Sequence, residues 1–392
     1  MLRSLLLSGA ALFALLTLAY LATMQWTWPF PRDKVGLVLG RDFLNLWMYG
    51  RAVFGPDPAQ FYDVAIYNAE LAKLLGGGYP GQNWPNPPTA LVVMAPFGLL
   101  GYFPALLAWF AAGLLAFCLA VRRQVCDGRI LAIMLLSPAA LLCVMSGQSS
   151  FLTTAALLAI FATPHKRPVV AGVLIGLLTV KPQLGVLFPV ALIASCRWHV
   201  FGWATLTTLV LLALSVALGG AEGWHAYIAK ALPLQSEVLG DSSGAAMPFH
   251  PTVFMNMRGL VGNHVGEAIQ LGFAVAAITL VAVAFRYAQA DDARLPALFF
   301  ACSVSASPYM GAYDCLPLTT AAIMLLAAGQ LDDVGRRLAQ LVFWTPALQL
   351  LFGNLQLPGP GFIAPVFAAW LARDIFTTAG ATEHAAALRT TE

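Results

Sequence analysis

Apolar residues run along this chain in long unbroken blocks, and that patterning admits few folds. A helix that crosses a bilayer needs about 20 such residues, and the blocks at 2–24, 103–121, 200–218 and 267–285 meet or approach that length. Hydrophobic residues fill 59% of the 392 positions and charged residues only 10%, against about 45–50% and 25% in an ordinary soluble domain. A soluble globular enzyme and a disordered chain are both excluded. So is an outer-membrane barrel, whose strands alternate apolar with polar residues. A formal charge of +3 leaves no basis for a nucleic-acid partner. The six cysteines include no C-x-x-C pair and read as small apolar fillers.

The expected class is an all-α polytopic membrane protein. Residues 2–24 read as an uncleaved anchor, since no A-x-A site ends the run. Further spans are expected at 103–121, 130–146, 149–162, 200–218, 267–285, 295–308, 315–328, 338–352 and 361–372. The block 89–100 is too short for a comfortable span. The block 169–195 carries Lys181-Pro182 near its middle. One helix there would bury a Lys at roughly 2.5–3.5 kcal/mol, whereas Pro182 supplies a break between two shorter ones.

Charge then sets the topology. With the break at Lys181, short inner loops hold Arg122, Arg123, Arg129, Lys166, Arg167, Arg197, Arg286, Arg294, Arg336 and Arg337. The termini add Arg3, Arg373 and Arg389, and together these are most of the 21 basic residues. Apart from Lys181, the remainder lie in two long loops, which the positive-inside rule weighs little. The expectation is about twelve spans in one membrane domain over 1–375, both termini inside, loops 25–88 and 219–266 outside, and an inner tail at 376–392.

On that map the polar residues that are costly near a membrane fall on the outer face. Arg41 and Asp42 lie in the first loop, and Gln148 in the turn Ser146-Gly147-Gln148-Ser149. Lys181 lies at the next outer turn, His250 and Arg258 in the second long loop, and Tyr309, Tyr313 and Asp314 at a later outer turn. Phe43, Leu46, Trp47, Gly50 and Phe54 share one face at helical spacing. They predict an amphipathic helix along the interface with Trp47 at headgroup depth, and 61–75 gives a second, weaker one. A transporter would place such groups near the midplane in repeated halves, and no internal repeat is visible.

Several stretches resemble glycosyltransferase family 87, membrane transferases of GT-C type. They are Arg41-Asp42-Phe43 with Trp47 and Phe61-Tyr62-Asp63, and Asn83-Trp84-Pro85-Asn86-Pro87-Pro88 leading to Pro96. Further on come Gly147-Gln148, Gly172 through Lys181-Pro182-Gln183, and Ser307-Pro308-Tyr309 with Tyr313-Asp314. Their order from about 41 to 318 carries the resemblance, which is closest to the bacterial members. It implies a multi-span fold with membrane-lying helices in the first outer loop and a catalytic Asp there, at Asp42. It implies a polyprenyl-phosphate-linked sugar donor, typically mannose, and inverting transfer to a hydroxyl of a lipid or glycan acceptor at the periplasmic face of the inner membrane. The chain departs from the family after Ser307-Pro308, where many members carry a His and this one has Tyr313-Asp314.

Each candidate has two readings. Asp42 suits a general base or an N-cap for the helix at Phe43. Lys181 suits a lipid phosphate or snorkels to the interface. Arg258 is a second phosphate ligand or a loop charge. Gln148 binds sugar or satisfies its own turn. His250, Tyr309, Tyr313 and Asp314 shape an acceptor pocket, or His250 is a plain loop residue and the tyrosines form an interfacial belt. No D-x-D marks a metal site, and no cofactor is expected. A twelve-span lipid or solute transporter, or a different lipid-linked-glycan enzyme such as a ligase or polymerase, stands as the alternative.

Overall fold

The apolar blocks fold as helices, and no strand occurs among the described residues, which hold only isolated bridges joining Gln25 to Arg32 and Arg32 to Val38. The computed structural model describes residues 1–163, 167–241 and 243–389, with side chains to residue 377. Lys166 and the Arg389 side chain, both counted above as inner charges, lie outside the described residues. In chain order the helices are α1 (Leu2–Ala22), α2 (Phe43–Ala52), α3 (Val64–Leu75), α4 (Thr89–Gly98), α5 (Tyr102–Arg122), α6 (Gly128–Leu135) and α7 (Pro138–Ser146). Then come α8 (Ser150–Ala162), α9 (Pro168–Leu177), α10 (Pro182–Gly185), α11 (Phe188–Ala194), α12 (Trp198–Ala226) and α13 (Leu232–Gly240). The chain continues with α14 (Val253–Val261), α15 (Asn263–Tyr287), α16 (Arg294–Ala306), α17 (Leu316–Ala327), α18 (Asp333–Asn354) and α19 (Ile363–Arg389).

By length and hydropathy, four helical runs among the described residues can cross a membrane: α1, α5, Trp198–Gly240 and α15. The pair α6 and α7, bent by 55°, makes a fifth. The remaining apolar blocks form shorter helices, among them α4, α8, α16 and α17. Pro, Gly and Ser interrupt them, as Ser137-Pro138 does between α6 and α7. The expected break at Lys181-Pro182 is present: α9 tightens into a 3-10 turn over Leu178–Val180, and α10 starts at Pro182. The expected boundary at 218 is not where the helix stops. Gly220, with φ +69°, kinks the run but does not end it, and a π turn at Tyr227–Ala231 carries it into α13.

The chain divides into two units. The first comprises Arg3–Pro182 and Gly202–Asp241. Its core is built on α2, which packs along α4 so closely that Gly50 and Gly98 meet backbone to backbone. A Cβ on Gly50 would strike the Met94 carbonyl, and one on Gly98 would strike the Gly50 backbone. α5 packs on α8, with Phe117 edge-on to Phe151 at 5.4 Å. α2 is where the sequence reading needs correction. Tyr49, Leu44 and Met48 are buried as well as Phe43, Leu46, Trp47 and Gly50 of the expected face, while Phe54 lies beyond the helix end and is exposed, so α2 itself is enclosed on nearly all sides. Trp47 is 3% exposed and donates its indole N–H to the Leu100 carbonyl at 3.0 Å. A helical repeat assigns the second face to water, but Tyr62 and Trp84 pack on Tyr49 there.

The second unit comprises Gln183–Phe201 and Ser242–Glu392. α15 packs between α14 and α16, and α16 against α19. Buried amides join these elements. Gln270 accepts from the Phe254 N–H and donates to the Ser305 carbonyl, while Asn256 donates to Gln349, which donates to the Met247 carbonyl. Buried polar groups in an apolar surrounding require such partners. Arg294, expected in an inner loop, is paired with Asp292 and Asp374, each at 2.6 Å.

Candidate active site

The first unit places Asp42 at the head of α2, just after a sharp turn. Gly40 has φ +91° and Arg41 φ +36°. A left-handed conformation at a residue with a side chain costs roughly 1–3 kcal/mol, and Arg41 is held in it by Asp33, whose Oδ2 receives two guanidinium nitrogens at 2.6 and 2.8 Å. Asp33 is buried and also accepts the N–H groups of Val35 and Leu37, so one carboxylate organises the approach to α2. Asp33 was not among the expected residues. It sits eight positions from Arg41 in an irregular loop, where no periodicity connects them.

Asp42 occupies the N-cap position, but its side chain does not cap the helix. Its Oδ2 accepts from Gln148 Nε2 at 3.0 Å. The backbone reinforces the same contact, with Asp42 N–H donating to the Ser146 carbonyl at 2.9 Å. Gly147 makes it possible. It ends α7 in the left-handed conformation (φ +70°) against the Gly40 carbonyl and Phe43, a place no side chain fits, and its carbonyl accepts from the Trp109 indole at 3.1 Å. Gln148 is therefore turned onto the half-buried carboxylate through its Nε2, while its Oε1 accepts the Ser149 N–H of its own turn at 3.4 Å.

The Asn83-Trp84-Pro85-Asn86 stretch forms the wall behind α2. Trp84 stacks on Tyr49 at 3.9 Å, with Phe61 and Tyr62 edge-on at 5.3 Å. Tyr49 and Tyr62 both donate to the Asn86 carbonyl, at 2.7 and 2.9 Å, and Tyr67 donates to Asn45 on α2 at 2.6 Å. Burial pushes these phenols well above their ordinary value, which keeps them as donors. Aromatic pairs of this kind contribute about 0.5–1.5 kcal/mol each. At the rim, Lys230 pairs with Asp63 at 2.8 Å, and that hydrogen bond holds the Asp63 carboxyl below its usual range.

Lys181 belongs to the same unit and is 6% exposed, at the break between the 3-10 turn and α10. The turn docks on α4 through Thr89, whose hydroxyl donates to the Thr179 carbonyl at 3.5 Å. A fully snorkelled Lys would be exposed, so burial speaks against that reading. The unit thus joins Asp42 to Gln148 and holds Lys181 buried.

The second unit gathers the other candidates by itself. His250 Nδ1–H donates to the Ala246 carbonyl at 2.9 Å, and its ring lies 5.0 Å from that of Tyr309. Burial pushes the imidazole below its ordinary value. The Asp314 field opposes that shift and the Arg258 field adds to it. Asp314 and Arg258 are both buried. Thr252 caps α14 and donates to the Pro308 carbonyl at 3.1 Å, which ties the His250 segment to Ser307-Pro308-Tyr309. Tyr313 folds its ring over Gly311, where a Cβ would collide with it.

A family model described as glycosyltransferase family 87 matches residues 84–310. The match takes in Gln148, Lys181, His250, Arg258 and Tyr309. It begins after Asp42 and ends before Tyr313 and Asp314. No curated protein and no solved structure matches the chain.

Proposed function

The chain belongs to glycosyltransferase family 87 and is a membrane glycosyltransferase, and on that premise we propose that it moves a hexosyl unit, mannose, from a polyprenyl-phosphate donor to an acceptor hydroxyl. The acceptor is a lipid or glycan at the periplasmic face of a bacterial inner membrane, and the anomeric centre is inverted.

The observation that carries this reading is the hydrogen bond from Gln148 to Asp42. A carboxylate at a helix head ordinarily caps the helix. This one is oriented by an amide from elsewhere in the chain, which suits a group that takes a proton. In the proposed step the acceptor oxygen attacks the anomeric carbon while Asp42 removes its proton. The bond from that carbon to the phosphate oxygen breaks, and the phosphate leaves with the electron pair. Lys181 supplies positive charge for the leaving phosphate, which gains charge as the bond breaks. Within the second unit, the roles proposed are phosphate binding for Arg258 and acceptor or sugar contacts for His250, Tyr309, Tyr313 and Asp314.

The test is transfer by the purified protein from radiolabelled polyprenyl-phosphate sugars to extracted membrane lipids and glycans. Label from the mannosyl donor is expected in the acceptor fraction. Label moving only from nucleotide sugars would overturn the donor assignment. Reporter fusions at Gly77 and Gly244 check the orientation, and a cytoplasmic signal from either would contradict the outer-face reading.

A further inference from the structure

Two hydrogen-bond donors on α5 meet the two halves of the Asp42–Gln148 pair. Tyr102 donates its hydroxyl to the Leu39 carbonyl at 2.7 Å, in the turn that leads into Asp42. Trp109 donates its indole N–H to the carbonyl of Gly147, the residue before Gln148, at 3.1 Å. Both side chains are buried, each 5% exposed. Their spacing is close to two helical turns, so they project from one side of α5, roughly 10.5 Å apart along its axis.

Phe43, the first residue of α2, fills the space between them. Its ring lies 5.7 Å from that of Tyr102 and 5.9 Å from that of Trp109. The turn before α2 presses on the same face, since a Cβ on Gly40 would come within 3.0 Å of the Tyr102 hydroxyl oxygen. The head of α2 and the end of α7 are thus each tied to one long helix, as well as to each other through Asp42 and Ser146.

Apolar packing does not call for these donors, because a phenylalanine at either position would fill the same surroundings. Buried carbonyls do need donors, and that need accounts for one bond to each. The shared face of α5 has a further effect. With both carbonyls fixed to one helix, the spacing of Tyr102 and Trp109 sets the separation between the carboxylate and the amide that orients it. Constellations of this kind tolerate displacements of only about 0.5 Å.

We propose that Tyr102 and Trp109 are positioning residues for the transfer reaction, with α5 as the frame that sets the Gln148 amide against the Asp42 carboxylate. They act through Leu39 and Gly147 and not on the substrate. The proposal rests on the reading of Asp42 as the base.

Tyr102→Phe and Trp109→Phe each keep an aromatic ring and remove the donor. Transfer from radiolabelled polyprenyl-phosphate mannose to extracted membrane lipids and glycans is measured for each, alone and combined with Gln148→Ala. Each alone is expected to lower kcat about threefold to tenfold, as the loss of one neutral hydrogen bond implies, with KM for the donor unchanged. Combined with Gln148→Ala, neither should lower kcat further, because groups that act through one contact are not additive. Phe117→Leu, further along α5 against Phe151, is the control for loosened packing. Its thermal midpoint should fall while its kcat stays. Losses that multiply with that of Gln148→Ala overturn the proposal, as does a raised donor KM with kcat intact, or an equal fall of kcat in Phe117→Leu. Should Trp109→Phe fail to fold by circular dichroism, Tyr102→Phe, which removes only the hydroxyl oxygen, decides by the same criteria. Asp42→Asn is assayed beside them. Transfer at the wild-type rate there refutes the base and the frame together, whereas an inactive Asp42→Asn beside multiplying losses refutes the frame alone.

Discussion

Gln148 reaches across 106 positions of chain to hold Asp42, its Nε2 3.0 Å from the carboxylate Oδ2. The turn that aims it depends on Gly147, and the helix head that receives it depends on Arg41 and Asp33. Replacing Asp42 by Asn keeps the shape and removes the base. Transfer should fall by roughly two to four orders of magnitude while donor affinity survives. Asp314→Asn should act mainly on acceptor affinity. Rates and donor binding measured for both variants check this, and an active Asp42→Asn beside an inactive Asp314→Asn reverses the assignment.

Gln148→Ala leaves the carboxylate in place but unguided. The lost contact is a hydrogen bond to a charged group, and such bonds contribute about 1.5–3 kcal/mol. The turnover rate is expected to drop about 10- to 100-fold with little change in KM for the donor. A residue that served the sugar alone would raise KM instead, so the two constants separate the roles.

Lys181 is buried at a helix break, and the role proposed for it is to meet the donor phosphate as a point charge. Lys181→Ala should weaken donor use strongly in protein that still inserts and folds, and Lys181→Arg should retain part of the activity. Donor titrations of both variants in detergent provide the measurement. Normal transfer by Lys181→Ala would remove the residue from the mechanism.

Asp33 accepts two backbone N–H groups and pairs with Arg41. Its replacement by Ala leaves a partly buried guanidinium without its partner and a left-handed residue without its support. The expected loss is about 3–5 kcal/mol, read as a lower midpoint in a thermal unfolding assay. Transfer should fall with it, because the same loop sets the head of α2.

His250 carries the pH dependence of the second unit. Its folded value lies below the ordinary His value of about 6.5 because burial disfavours the charged ring. Its contribution to stability is therefore complete above that ordinary value and is lost as pH falls through the lowered folded value. Thermal midpoints should decline on acidification below about pH 6.5, and His250→Gln should decline less steeply. Parallel pH profiles for the two proteins would refute the assignment.

The membrane class, the break at Lys181-Pro182 and the helices over 43–52 and 64–75 were legible in the sequence, because each rests on local pattern: block length, a proline, a helical repeat. Gln148 was legible as unusual, yet its partner was not. The contact with Asp42 depends on a left-handed glycine stopping one helix against the start of another, and no spacing encodes that meeting. The double use of the Asn86 carbonyl by Tyr49 and Tyr62 is hidden for the same reason. The enclosure of α2 was misread because a 3.6-residue repeat reports which face is apolar and assigns the rest to solvent. Tyr49 sits on that second face and is covered by Tyr62 and Trp84, more than ten residues away in sequence.

The meeting of Gly50 with Gly98 bears on how this protein can vary. Where two side chains crowd each other, enlarging one is offset by trimming the other. Here the obstacle to any new atom at Gly50 is the Met94 carbonyl and the Gly98 main chain, and every residue has a main chain. No second substitution makes room. The two positions have no suppressors of each other, and a library randomised at either one should return glycine alone among active clones, however freely the rest of α4 is allowed to change.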